Sequence, residues 1–220
     1  MKIIKNYYYL IRNKILKHFI GAYNIWDIYG GHFKVTYRGI PTLKCPFDYV
    51  MYQMIISELK PDLVIEIGTN FGGTSLYIAD LMEAIGHGEV HTIDIEDRTE
   101  KTLKQHPRIK LFTNGWKNYD LENTSKFLKI IVIDDASHIY EDTLETIKTF
   151  SKIIPVGSYL IIEDGIVTRL KRAKLLNGGP LRAIEDFMKT NDCFVVDNKY
   201  CNMFGEDTTF NTKGYLKRIK

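Results

Sequence analysis

Three carboxylates and one histidine in this 220-residue chain have the types and spacing for metal-assisted proton chemistry. Asp135 and His138 stand in Asp134-Asp135-Ala136-Ser137-His138, directly after the apolar run Ile130-Ile131-Val132-Ile133, and Glu163-Asp164 follows the run Ser158 to Ile162. Three hard oxygen donors suit Mg²⁺ better than zinc. Carboxylates that converge repel one another and raise each other's pKa, so a metal or a basic neighbour must accompany them. The spacing of Asp135 and His138 puts both side chains on one side of a first helical turn, where the imidazole can take a proton from a hydroxyl. Adjacent strand residues point to opposite faces, so Glu163 and Asp164 meet at one centre only if their strand has already ended. The competing reading is three unrelated, solvated acids at strand ends.

A second segment has the form of a ligand loop. Val64-Ile65-Glu66-Ile67-Gly68-Thr69-Asn70-Phe71-Gly72-Gly73-Thr74-Ser75 runs from an apolar strand into a helix, whose N-terminus offers free amide donors. The dinucleotide fingerprint G-x-G-x-x-G fails because Asn70 stands where its second glycine is needed, which disfavours a nicotinamide cofactor. The pattern E-x-G-x-x-x-G resembles the S-adenosylmethionine loop instead. Glu66, Gly68, Thr69, Asn70, Gly72, Gly73 and Ser75 are then the expected cofactor-binding residues, joined by Asp94 at the end of the next strand, where a carboxylate accepts from a ribose.

The elements that must position these residues follow from hydropathy. From residue 46 onward short apolar runs alternate with amphipathic stretches, the pattern of a parallel sheet flanked by helices. Strands are expected at 63–67, 90–94, 109–112, 130–134, 158–162 and 194–196, with 130–134 apolar on both faces and therefore central. A helix through Val50, Met51, Met54, Ile55 and Leu59 is stopped by Pro61. The segments 208–210 and 214–216 follow too closely for a helical crossover, so an antiparallel last strand is expected. Six parallel strands and an antiparallel one resemble the class I methyltransferase sheet, so the expected fold class is α/β: Rossmann-like, seven mostly parallel strands with helices on both faces.

Composition narrows the functional classes. Lys plus Arg number 30 against 27 Asp plus Glu, a net charge of +3, which gives no electrostatic case for nucleic acid. Cys45, Cys193 and Cys201 have no metal-ligand or disulfide spacing and suit a reducing compartment, so a cytoplasmic location is expected. Residues 1–34 are expected to form a basic, amphipathic helical appendage to a domain at 35–220. Over residues 2–20 a helix is expected, on which Ile3, Ile4, Tyr7, Tyr8, Leu10, Ile11, Ile15, Leu16, Phe19 and Ile20 would form an apolar stripe among cations, suited to homo-oligomer assembly or to an anionic membrane surface at the inner face. Arg169, Lys171, Arg172 and Lys174 suggest a basic lid over an acidic acceptor, with a solvated basic loop as the alternative.

Taken together, Arg38-Gly39-Ile40-Pro41, Lys44-Cys45-Pro46-Phe47-Asp48, Tyr52-Gln53, the 66–73 loop, Asp135 to His138, Pro155 to Asp164, Gly179-Pro180-Leu181 and Gly214 to Arg218 resemble the cephalosporin hydroxylase and rhamnosyl O-methyltransferase family. The resemblance runs from about residue 35 onward. It implies S-adenosylmethionine and Mg²⁺ as cofactors, Asp135, Glu163 and Asp164 as metal ligands, His138 as catalytic base, and a hydroxyl of a sugar or glycan as acceptor. Ser137 departs from the acid that hydroxylase-named relatives tend to carry before the histidine.

Two other classes stay open. An iron oxygenase would need a two-His-one-carboxylate site, and His87-Gly88-Glu89 fits one only formally, because it precedes its strand and reads as a turn at the opposite sheet edge. A noncatalytic protein that binds S-adenosylmethionine would keep the fold without the metal dependence.

Overall fold

A computed structural model describes residues 25–220. The helix expected over 2–20 lies outside the described residues. The elements in chain order are α1 (Ile25–His32), β1 (Thr36–Tyr37), β2 (Ile40–Pro41), α2 (Pro46–Leu59), β3 (Leu63–Ile67), α3 (Gly73–Ala84), β4 (Glu89–Ile93), α4 (Lys101–Lys104), β5 (Ile109–Phe112), β6 (Ile130–Asp134), α5 (Tyr140–Phe150), β7 (Tyr159–Ile162), α6 (Gly179–Thr190), β8 (Phe194–Val196), α7 (Asn198–Cys201) and β9 (Tyr215–Arg218).

Strands β3 to β9 form one sheet in the order β5-β4-β3-β6-β7-β9-β8. Strand β6 sits in the middle. Its residues, like those of β3, are buried throughout, as an apolar strand covered on both faces requires. Only β9 runs against its neighbours, pairing antiparallel with β7 and β8. The side chains of Val64, Ile131 and Ile161 pack against Met51, Ile55 and Met82 of α2 and α3 on one face. On the other, Ile65, Val132 and Leu160 meet Ile147, Phe150 and Phe187 of α5 and α6.

Register decides where the chemistry falls. Ile67 pairs with Asp134, and Asp134 with Ile162, so β3, β6 and β7 end level with one another. The residues that follow, Gly68, Asp135 and Glu163, therefore leave the sheet at one edge. The chain winds outward from β3 through β4 to β5, then returns to β6 on the other side, and a crevice opens at that reversal.

Some boundaries differ from the expected ones. Strand β4 stops at Ile93, which leaves Asp94 in the loop. Residues 208–210 form no strand: the buried Asp48 carboxylate of α2 accepts from the Thr209 hydroxyl and from the Phe210 amide at 3.2 Å, so this segment is pinned to the helix instead of the sheet. His87 and Gly88 turn into β4, which Glu89 opens at the opposite edge. Helix α1, inside the expected appendage, rests through Ile25, Ile28 and Tyr29 on Ile166, Leu170 and Phe210. No helix among the described residues is long and apolar enough to cross a membrane.

Leu160 is fully buried in the middle of β7. Its replacement in Leu160→Ala is expected to cost about 2–5 kcal/mol, read as a lower urea midpoint with an unchanged m-value. An unchanged midpoint would contradict this placement.

Candidate active site

A cavity of about 650 Å³ occupies the crevice. One wall is the loop after β3, represented by Gly68, Thr69, Asn70 and Gly73, with Asp94 and Ile95 beside it. Gly68 has φ of +102°, and a Cβ there would lie 2.2 Å from the Asp135 carbonyl oxygen, so only glycine lets the loop pass the end of β6. The Asn70 amide donates to the Asp94 carboxylate at 2.8 Å, and the Ile95 amide donates to its other oxygen at 2.7 Å. Asp94 thus faces the cavity while fixing the loop.

The remaining loop residues singled out in the sequence lie behind this wall. The Glu66 carboxylate is buried and accepts from the Ser75 hydroxyl and, at 3.1 Å, from the Thr92 hydroxyl, which ties β3, α3 and β4 together. Burial pushes its pKa up to about 7, against the opposing Lys44 charge and the Ser75 hydrogen bond. Gly72 stands at the start of α3 against Leu103. Glu66, Gly72 and Ser75 shape the loop from beneath and do not line the cavity.

The opposite wall carries Asp135, His138 and Asp164. The His138 Nε2 is 3.6 Å from Asp135 Oδ1 and 3.3 Å from Asp164 Oδ2, and one ligating atom from each residue lies within 4.8 Å of the others. The expected first helical turn is absent. Helix α5 begins only at Tyr140, and His138 is turned back on Asp135 by a left-handed backbone, φ 57°. Asp164 adopts φ 57° as well, after β7 has ended at Ile162, and so reaches the cavity. Burial raises the Asp164 pKa, and the nearby His138 opposes it.

Glu163 takes a different direction. Its carboxylate is buried, with both oxygens 2.5 Å from the Lys44 ammonium and one accepting from the Tyr52 hydroxyl at 2.5 Å. The same ammonium donates to Asp135 Oδ2 at 2.7 Å. Burial alone would strip the proton from Lys44, yet the charges of Asp135 and Glu163 outweigh it and hold its pKa well above the usual lysine range. Burial and the Asp135 charge push Glu163 upward, while Lys44 pulls it down. Asp135 is therefore shared, with Oδ2 on Lys44 and Oδ1 toward His138.

Lys44 and Tyr52 are the residues that motif reading left without a role. The repulsion among the three carboxylates is the signal that points to them, since it demands a cation. Asp134, the last residue of β6, also lines the cavity, and its Oδ2 is buried with no hydrogen-bond partner among the described residues. Ser137 donates to Asp142 at 2.9 Å. Of the basic stretch, Arg169 is paired with Asp207 at 2.9 Å, and Arg172 lies 5.1 Å from the ring centre of Tyr29, a cavity residue.

The model of the family described as rhamnosyl O-methyltransferase/CmcI matches residues 30–219. The chain belongs to this family. A rhamnosyl O-methyltransferase of Mycobacterium leprae is 30% identical over 175 residues, covering 75% of this chain and 76% of the relative. One of Mycobacterium tuberculosis is 30% identical over 162 residues, covering 70% of this chain and 66% of that protein, just under two thirds of its length. A solved structure of CmcI with Mg and S-adenosylmethionine superposes with a TM-score of 0.65 at 25% identity, over 86% of this chain and 78% of that one. The class I methyltransferase fold of this family member agrees with the expected sheet.

The raised pKa of Glu66 has a consequence for stability. Between the ordinary glutamate range and about 7, the folded chain holds a proton that the unfolded chain has released. Stability therefore falls as pH rises through that window and levels off above it. Glu66→Gln keeps an acceptor for Ser75 and Thr92 and is expected to flatten this slope in urea titrations run from about pH 4 to about pH 8. A variant with the wild-type slope would assign the pH dependence to other groups.

Proposed function

We propose that this chain methylates a hydroxyl of a sugar or glycan, using S-adenosylmethionine and Mg²⁺. The observation that carries the reading is the shared cavity: the Gly68–Gly73 loop and Asp94 form one wall, and Asp135, His138 and Asp164 the other. The rhamnosyl O-methyltransferase names of its relatives support a sugar acceptor, and the Mg and S-adenosylmethionine of the CmcI structure support the cofactors. Two carboxylates beside an imidazole fit a hard divalent cation, with Asp135 and Asp164 as the oxygen donors at hand. Glu163 joins them as a ligand if its carboxylate leaves Lys44.

When bound, S-adenosylmethionine supplies a methyl group on a sulfonium, and Mg²⁺ lowers the pKa of an acceptor hydroxyl. The chain's own residues do the rest. Asp94 would accept from the ribose, with the Gly68–Gly73 loop as the wall beside it. His138 Nε2 takes the acceptor proton, and the Asp135 and Asp164 carboxylates at 3.6 and 3.3 Å stabilise the resulting imidazolium. The deprotonated acceptor oxygen would take the methyl group, its new C–O bond forming as the C–S bond of the bound donor breaks and S-adenosylhomocysteine is released. Fixing both partners in one cavity lowers the entropic part of the barrier.

Transfer of label from S-adenosylmethionine to glycan or nucleotide-sugar extracts tests the reading. Asp135→Ala is expected to abolish transfer with the fold intact, and His138→Ala to slow it by roughly 10²- to 10⁴-fold. Asp94→Ala is expected to weaken cofactor binding above all. Full activity in excess EDTA would remove the metal from the mechanism.

A further inference from the structure

Lys44 is 1% exposed and is surrounded by acid: Asp135 Oδ2 at 2.7 Å, both Glu163 oxygens at 2.5 Å, and the charge of Glu66 beyond them. The Tyr52 ring centre lies 5.9 Å from its ammonium. Asp135 and Glu163 are two of the three carboxylates that the proposed function asks to hold a divalent cation, and the lysine takes hydrogen-bond positions on both. Lys44 reaches them from the residue pair just before α2, and its ammonium is held by the Asp135 and Glu163 carboxylates.

We infer that Lys44 is a built-in competitor of the divalent cation, occupying oxygens of Asp135 and Glu163 that the metal would otherwise take, and thereby setting the metal affinity. The inference rests on the metal-dependent reading above. A fixed positive charge this close to the site repels a second cation strongly in a buried, low-dielectric setting. Metal binding must draw the Glu163 carboxylate off Lys44 or leave the ion with fewer protein oxygens, and both outcomes weaken it. The geometry also makes Lys44 a counter-ion that keeps the acids from repelling one another, so the site stays folded without tight metal binding.

The test is Mn²⁺ binding, followed by electron paramagnetic resonance, to the wild-type chain and to Lys44→Met, which keeps an unbranched side chain one atom shorter and removes its charge. The variant is expected to bind Mn²⁺ at least about tenfold more tightly. Equal or weaker binding would overturn the competitor role and leave Lys44 as a strut for Glu163, while the metal site itself would stand. Failure of both proteins to bind Mn²⁺ would overturn both the inference and the metal-dependent reading. Should Lys44→Met not fold, the wild-type chain with ¹⁵N in its lysine side chains decides the matter: Mg²⁺ is expected to shift one solvent-protected ammonium resonance. Saturating Mg²⁺ that leaves this resonance in place would overturn the inference.

Discussion

A lysine ammonium withdrawn from water between two carboxylates is the constraint on which the rest of the site depends. Burying charges costs several kcal/mol per ion unless the geometry is close and every donor is used. Here one cation meets Asp135 at the end of β6 and Glu163 at the end of β7, while Tyr52, on the helix that Lys44 leads into, donates to the same Glu163. Three separate pieces of chain are thereby locked at one edge of the sheet. The lock also orients Asp135, since one oxygen on Lys44 leaves the other facing His138.

Helix α2 carries a second anchor of the same kind. Asp48, fully buried on its first turn, accepts from Thr209, Phe210 and Tyr215, and Asn211 bridges Tyr215 to Tyr52. The loop before β9 and the acids at the ends of β6 and β7 are thus tied to one helix through polar contacts. Burial raises the Asp48 pKa to about 6, opposed by the hydrogen bonds from Thr209 and Tyr215.

Much of this was legible in the sequence, for reasons that differ from residue to residue. The strands read clearly because buried parallel strands are unbroken apolar runs, and β3 and β6 are of that kind. The convergence of Asp135 with His138 was legible as spacing, but its means was not: the periodicity of a helix says nothing about a left-handed residue at 138, which closes the turn instead. Strand periodicity correctly required β7 to end before Asp164, yet it could not tell that Glu163 would turn inward to a lysine 119 residues away. Contacts of that range leave no local pattern, and the demand for a cation among three acids was their only trace. The 208–210 segment misled for the same reason, since its strand-like residues are claimed by Asp48 from a distant helix.

The sheet's last two strands carry a consequence for how the chain is made. Strand β8 has hydrogen-bonded partners only in β9 among the described residues, and β9 lies between it and β7. Residues 194–196 therefore emerge during synthesis with no edge to join, because the free side of β7 is reserved for residues 215–218. Until these arrive, β7 offers an open edge beside the half-built acidic cluster, and Tyr215, which Asp48 needs, is missing as well. Completion of the sheet and closure of the buried polar network thus both wait on residues 215–218, so a nascent chain exposes the open edge of β7 until that strand is in place.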